Sequence, residues 1–254
     1  MNTYHLKIFR GSPGKQYWEE FELPLRKGEN VISGLMEIQK NPVNSQGERV
    51  TPIAWDQGCL EEVCGSCSML VNGFPRQACT ALIENYIRDT KKNTITLAPF
   101  TKFPLVRDLI VDRSRMFENL KKVHAWIDTP GSKSEGFGPL ISQSKQEVMY
   151  ALSTCITCGC CSEACPQIND QSAFIGPAAI SQARLFNAHP SGKLQRHARL
   201  RPLMEKGGIT DCGNAQNCVE VCPKDIPLTD SIAVIGREVS LQAFRDLLSF
   251  PDRE

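Results

Sequence analysis

"CITCGCCSEACP", residues 155–166, places five cysteines within eleven positions and ends on proline. A tetrahedral metal site takes four thiolates, so five is one too many. Setting Cys160 aside leaves C-x2-C-x2-C-x3-C-P. A sparser copy, "CGNAQNCVEVCP" (212–223), keeps the same frame but carries Ala215 where the second cysteine belongs. In both copies a proline fixes φ directly after the last cysteine and ends the loop. A third group lies upstream: "CLEEVCGSC" (59–67) and then Cys79, as C-x4-C-x2-C-x11-C.

Twelve cysteines in 254 residues point to metal or redox chemistry in a reducing compartment. Neighbours two or three residues apart seldom meet the geometry of a structural disulfide. The C-x4-C-x2-C spacing is that of plant-type 2Fe–2S ferredoxins. Two irons need four thiolates, and Cys59, Cys64, Cys67 and Cys79 supply them. Gly58 and Gly65 let the backbone wrap closely around the sulfurs. The two later runs follow the bacterial ferredoxin pattern, in which the fourth cysteine of each run crosses to the other cluster. Cys155, Cys158, Cys161 and Cys222 then hold a 4Fe–4S cluster. Cys165, Cys212 and Cys218 give three thiolates to the other site. A cubane corner without a thiolate tends to lose its iron, so that site is expected to hold a 3Fe–4S cluster; a water-ligated fourth iron is the alternative. Cys160 is read as a small buried hydrophobe. Three all-thiolate zinc sites would also use twelve cysteines, but give no use to the alanine gap or the trailing Cys-Pro.

The rest of the chain is ordinary for a globular protein: 41% apolar, 22% charged, net charge +1. Lys and Arg number 13 against 12 Asp and Glu in residues 1–108, and 16 against 16 in 109–254. Neither part has the basic field of a nucleic-acid binder, and no nucleic-acid partner is expected. No apolar run reaches the ~18 residues that span a bilayer, and "MNTYHLKIFR" is too polar for a signal peptide. A soluble, unexported chain is expected. "YHLKIFR" and "YWEEFELPL" read as strands around "GSPGK", "NVISGLMEIQKNP" as a helix, "SMLVNGFPRQACTAL" as a hairpin turning at Asn72-Gly73, and "NTITLAP" as a strand. "LVRDLIVDRSRMFENLKKVHAWI" (105–127) has a helical period. "TPGSKSEGFGP" (129–139) reads as a loop. "SKQEVMYALSTC", "GPAAISQARLFNAH", "HARLRPLMEKGG" and "LTDSIAVIGREVSLQAFRDLL" read as helices. The fold class is therefore α+β: an N-terminal plant-type 2Fe–2S ferredoxin (β-grasp) domain over 1–108, then an all-α bacterial-ferredoxin-like domain over 109–254.

This combination resembles the iron–sulfur subunit family of succinate dehydrogenase and fumarate reductase. The likeness runs over nearly the whole chain, through "NPVNSQGERVTP", "CLEEVCGSCSMLVNG", "RQACTAL", "DRSRMF", "FIGPAA" and "NCVEVCPKDIPLT". It implies electron transfer from an FAD-containing flavoprotein subunit through the 2Fe–2S, 4Fe–4S and 3Fe–4S clusters to a quinone at a membrane-anchor subunit. FAD and haem b would belong to the partner subunits only. The chain would be peripheral, on the cytoplasmic side of the cell membrane, held by that anchor. No catalytic residue is expected on it: there are no paired carboxylates, and His5, His124, His189 and His197 are scattered.

The likeness has one departure. Ubiquinone-using members carry a tryptophan after the crossing Cys-Pro and a histidine after the first cysteine of the second run. Here "QINDQSA" and Gly213 stand in those places. The branch implied has a single dihaem cytochrome b anchor and uses menaquinone, with Pro166 and Gly213 as the candidate quinone contacts. "GKLQRHARLRPLMEK" (192–206) reads as a solvated basic face, with anionic lipid headgroups as a second reading. The rival functions are the same subunit in a fumarate reductase, a zinc-stabilised interaction module, and the iron–sulfur subunit of another flavoprotein dehydrogenase with two cubane runs.

Overall fold

Strand β1 (Thr3–Ser12) and strand β2 (Lys15–Pro24) pair antiparallel, in register from Thr3↔Pro24 to Ser12↔Lys15. Alternate β1 residues Tyr4, Leu6 and Ile8 point inward, the period-2 signature of a half-buried strand. They pack with Val31, Ile32, Leu35 and Ile38 of helix α1 (Val31–Lys40). The Asn30 side chain accepts from Ser33 N at 2.8 Å and so caps this helix. Strands β3 (Ser68–Val71) and β4 (Phe74–Gln77) form the expected hairpin. Asn72 and Gly73 both have positive φ, 50° and 79°, as a two-residue type I′ turn requires. Helix α2 (Ile83–Thr90), absent from the sequence reading, leads into β5 (Thr94–Ala98). The sheet order is β2-β1-β5-β3-β4, with β5 parallel to β1 and antiparallel to β3.

The computed structural model describes residues 3–128 and 140–248; the loop expected over 129–139 lies outside them. The chain divides into two compact units, Met1–Arg113 with Ile156–Glu163, and Ser114–Cys155 with Ala164–Glu254. The helix expected across 105–127 is only partly there. Strands β6 (Leu105–Arg107) and β7 (Ile110–Val111) precede helix α3 (Ser114–Lys122). Asp108 explains the break. It is buried at φ 48°, and its carboxylate accepts from Arg10 Nε at 3.1 Å, Gly11 N at 2.7 Å and Ala54 N at 2.8 Å. Three donors on one buried carboxylate outweigh a local helical period.

The second unit is helical: α4 (Gln143–Ser153), α6 (Pro177–Ala188), α7 (Arg196–Met204), α8 (Asn217–Glu220) and α9 (Leu228–Leu248), with α5 (Cys160–Ala164) at the chain crossing between units. Phe174, Ile180, Ala183, Leu200, Leu203 and Ile235 form its core. The basic stretch 192–206 is not wholly a solvated face, because Arg199 is fully buried. Its guanidinium donates to His124 O (2.9 Å), Trp126 O (2.7 Å), Gly192 O, Asn187 Oδ1 (3.3 Å) and Gln195 Oε1 (3.0 Å). Five acceptors in fixed directions make the burial of that charge tolerable. Among the described residues no helix is long and apolar enough to cross a membrane.

Candidate functional site

The loop from Gly58 to Cys67 carries the first cysteine set. Leu60 (φ 63°), Glu62 (φ 58°) and Gly65 (φ 73°) turn successive amides to one side. Glu61 N and Val63 N point at Cys59 Sγ at 3.4 and 3.2 Å, while Cys59 N and Ser66 N point at Cys64 Sγ at 3.4 and 3.5 Å. A side-chain hydrogen bond from Ser66 contributes most and, with the backbone bonds from Cys59 and Ser66, holds the Cys64 thiol down to about 6. A side chain at Gly58 would place its Cβ 2.8 Å from Cys64 Sγ, so the backbone there must be bare. Cys67 and Cys79 lie beside one another on the buried side, and burial pushes Cys67 up to about 12. The Cys79 carbonyl accepts from Asn30 Nδ2 at 2.8 Å, which ties that thiol's backbone to the start of α1. Thiols on a tight loop with N–H groups aimed at sulfur fit an anionic iron–sulfur cluster. Among the described residues no three His, Cys, Asp or Glu side chains close on one ion-sized point.

Segment 156–163 folds with the first unit, which sequence spacing gave no reason to expect. Glu163 is buried there, and its carboxylate accepts from Thr101 N (2.9 Å), Thr101 Oγ1 (2.7 Å) and Lys102 N (3.0 Å). Arg113 donates to Gly65 O (2.7 Å), Ser66 O (2.8 Å) and Cys158 O (3.3 Å), joining the cysteine loop to this segment. Cys158 and Cys161 therefore sit in the first unit; Cys155 and Cys222 belong to the second. Cys160 is fully buried. Its hydrogen bond to Cys158 is the largest influence on both thiols: it draws Cys158 down to about 7 and pushes Cys160 up, with burial adding to the rise.

Gln77, Arg113 and Glu163 have no role in the sequence reading. The one available signal was for Gln77. It occupies an inward position of β4, where an uncharged amide has no apolar reason to be, two residues before a candidate ligand.

In the second unit Cys165, Cys212 and Cys218 line one cavity together with Pro166, Gly213 and Ala215. Burial first, and then the neighbouring Cys165 and Cys212, raise Cys218 to about 11. Asn214 (φ 51°) and Gln216 (φ 64°) flank Ala215 in left-handed conformations, which bends the loop around the cavity. The three thiols expected to share a site do face one space, and the alanine is in its wall. Three sulfurs and an apolar methyl around one cavity fit a cluster with an unligated corner. The candidate quinone contacts Pro166 and Gly213 border it too, with Gln167 beside Gly213: a Cβ on that glycine would lie 2.4 Å from Gln167 Nε2. The four histidines have bland surroundings: His5 meets Glu20, His124 meets Asp128, His189 accepts from Ser191 N, and His197 faces Asp246.

Comparison with known proteins agrees with this chemistry. Residues 5–118 match the model of a 2Fe-2S iron-sulfur cluster binding domain, and residues 151–226 match that of a 4Fe-4S dicluster domain. The succinate dehydrogenase iron-sulfur subunit of Bacillus subtilis is 57% identical over 91% of this chain and 89% of its own length. The fumarate reductase iron-sulfur subunit of Escherichia coli is 34% identical over 81% and 79%. A chain of the Mycobacterium smegmatis Sdh1 complex in the apo form has the same fold, with a TM-score of 0.80 over 95% of this chain and 97% of that one at 23% identity. Those matches leave no place for a zinc-stabilised interaction module. Thiols of a bare-backboned loop wrapped in N–H groups, a helical unit with three sulfurs around an alanine-walled cavity, and this degree of identity converge: the chain belongs to the family of succinate dehydrogenase and fumarate reductase iron–sulfur subunits.

Proposed function

We propose that this chain is the electron wire of a succinate:quinone oxidoreductase, taking electrons from an FAD-containing flavoprotein subunit and delivering them to menaquinone at a cytochrome b membrane anchor. The clusters supply reversible one-electron chemistry; the chain's residues hold, orient and insulate them. In this reading Cys59, Cys64, Cys67 and Cys79 hold the 2Fe–2S cluster of domain 1–108. Cys155, Cys158, Cys161 and Cys222 hold the 4Fe–4S cluster, and Cys165, Cys212 and Cys218 hold a 3Fe–4S cluster. Pro166 and Gly213 are the proposed quinone contacts, and the chain sits peripherally on the cytoplasmic side of the membrane. The observation that carries the three-cluster wire is Ala215 in the wall of the cavity that Cys165, Cys212 and Cys218 share.

Low-temperature EPR with an iron count tests it. An oxidised 3Fe–4S signal that vanishes on reduction, with a reduced 2Fe–2S signal appearing, is the expected result. A full cubane iron count with no oxidised signal would overturn the 3Fe assignment. The higher identity to a succinate dehydrogenase subunit than to the fumarate reductase subunits supports succinate oxidation as the working direction. Turnover of the assembled complex with succinate and with fumarate checks it; far faster quinol–fumarate turnover would reverse the assignment.

A further inference from the structure

Gln77 is fully buried, so every hydrogen bond of its amide must be met by protein. Nε2 donates to Ser68 Oγ at 2.8 Å and to Cys160 Sγ at 3.6 Å. Oε1 accepts from the Cys67 thiol at 3.6 Å. Ser68 in turn donates to Gly65 O at 2.8 Å, a carbonyl that also receives Arg113 Nη1 at 2.7 Å. This set is complete while Cys67 carries a proton. A cysteine that ligates iron does so as thiolate and has no hydrogen to give. Oε1 would then face a bare anionic sulfur, two acceptors in contact inside a dry site.

Turning the amide by half a revolution removes the conflict. Nε2 then donates to the Cys67 sulfur, and Oε1 accepts the Ser68 hydroxyl. Gly65 O loses Ser68 but keeps Arg113. Cys160 gives up only a long bond, 3.6 Å, to a weak acceptor. The turn leaves the second Nε2 hydrogen without a named acceptor, whereas the unturned amide would hold a carbonyl oxygen against an anionic sulfur, the costlier of the two.

We propose that Gln77 is a positioning residue for the first cluster: in the loaded chain its side-chain amide donates to the Cys67 sulfur, held in that sense by Ser68. The inference rests on the proposed ligand set. An N–H aimed at a ligand sulfur stabilises the reduced, more negative cluster and raises its potential.

The test uses the assembled complex. Gln77→Met keeps length and apolar volume but removes the donor. Its 2Fe–2S cluster should be about tenfold less reduced than wild type at a fixed ambient potential, a fall of 59 mV for one electron, with the midpoints of the other two clusters unmoved. A general loosening of the fold would not single out one midpoint. Wild-type protein labelled with 15N at glutamine side-chain amides should show a nitrogen coupling to the reduced 2Fe–2S centre in pulsed EPR, which decides the matter if Gln77→Met does not accumulate. Cys67→Ala separates the two levels. An unaltered 2Fe–2S signal in that variant would overturn the ligand set itself. A lost signal there, with no label coupling and no midpoint shift in Gln77→Met, would overturn only the role of Gln77.

Discussion

Gly65→Ala is the most demanding single change the cysteine loop offers. Gly65 sits at φ +73°, and a Cβ there would lie 2.4 Å from Ile156 O and 3.0 Å from Cys158 Cα. Both are main-chain atoms, so no side chain can swing aside. A left-handed alanine costs about 1–2 kcal/mol, and forcing a methyl into close-packed backbone adds about 1–3 kcal/mol. Gly73→Ala is the internal control. It has φ +79° but nothing within 4 Å of the added atom, so it carries the conformational cost alone. At roughly 4 °C per kcal/mol for a unit of this size, Gly65→Ala should lower the thermal midpoint by about 8–20 °C and Gly73→Ala by about 4–8 °C. Only Gly65→Ala should also broaden the reduced 2Fe–2S EPR signal, because Arg113 loses its grip on Gly65 and Ser66 carbonyls. Scanning calorimetry and EPR on the two variants read both effects. Equal losses in the two would refute the steric argument and with it the close passage of segment 156–163 behind the loop.

Ala215→Cys puts a fourth thiolate into the wall of the cavity that Cys165, Cys212 and Cys218 line; the oxidised 3Fe–4S signal should disappear and a single extra iron appear per chain, read by EPR and metal analysis. Arg199→Met strips buried carbonyls of His124, Trp126 and Gly192 of their donor and should cost about 3 kcal/mol or more, measured by calorimetry, with Arg199→Lys recovering little because one ammonium cannot reach five acceptors. Asn30→Ala removes the cap of α1 and the tether on Cys79 O together; stability should fall by about 1–2 kcal/mol, and 2Fe–2S content should fall on purification, followed by visible absorbance.

What could be read from the sequence was what is local in the chain. The hairpin at Asn72-Gly73, the amphipathic α1 and the long α9 each declare themselves within a few turns of backbone, and the cysteine spacings declare their chemistry. What could not be read is what depends on partners far away. Asp108 breaks an apparently helical stretch because Arg10 and Gly11 of β1 and Ala54 outside the sheet, all remote in sequence, donate to it. Arg199 looks like one more surface cation until five acceptors from five places surround it. Gln77 looks like an edge-of-strand polar residue until Ser68, Cys67 and Cys160 close around its amide. Of the candidate site, the spacing grouped Cys165, Cys212 and Cys218, and these three line one cavity. The reach of 156–163 into the first unit was not, because spacing along a run says nothing about which core the run lies against.

That reach also orders events at the ribosome. The first unit needs Ile156–Glu163 to be whole, yet 42 residues of other structure are translated between Arg113 and Ile156. At ordinary elongation speed the stretch from 113 to 163 takes roughly 3–10 s. Through that interval the nascent sheet and its cysteine loop exist without the carboxylate of Glu163 on Thr101 and Lys102 and without the backbone that Gly65 abuts. Until residue 163 is made the loop lacks the backbone that Gly65 abuts, and a chain cut short at residue 113 would lack it for good.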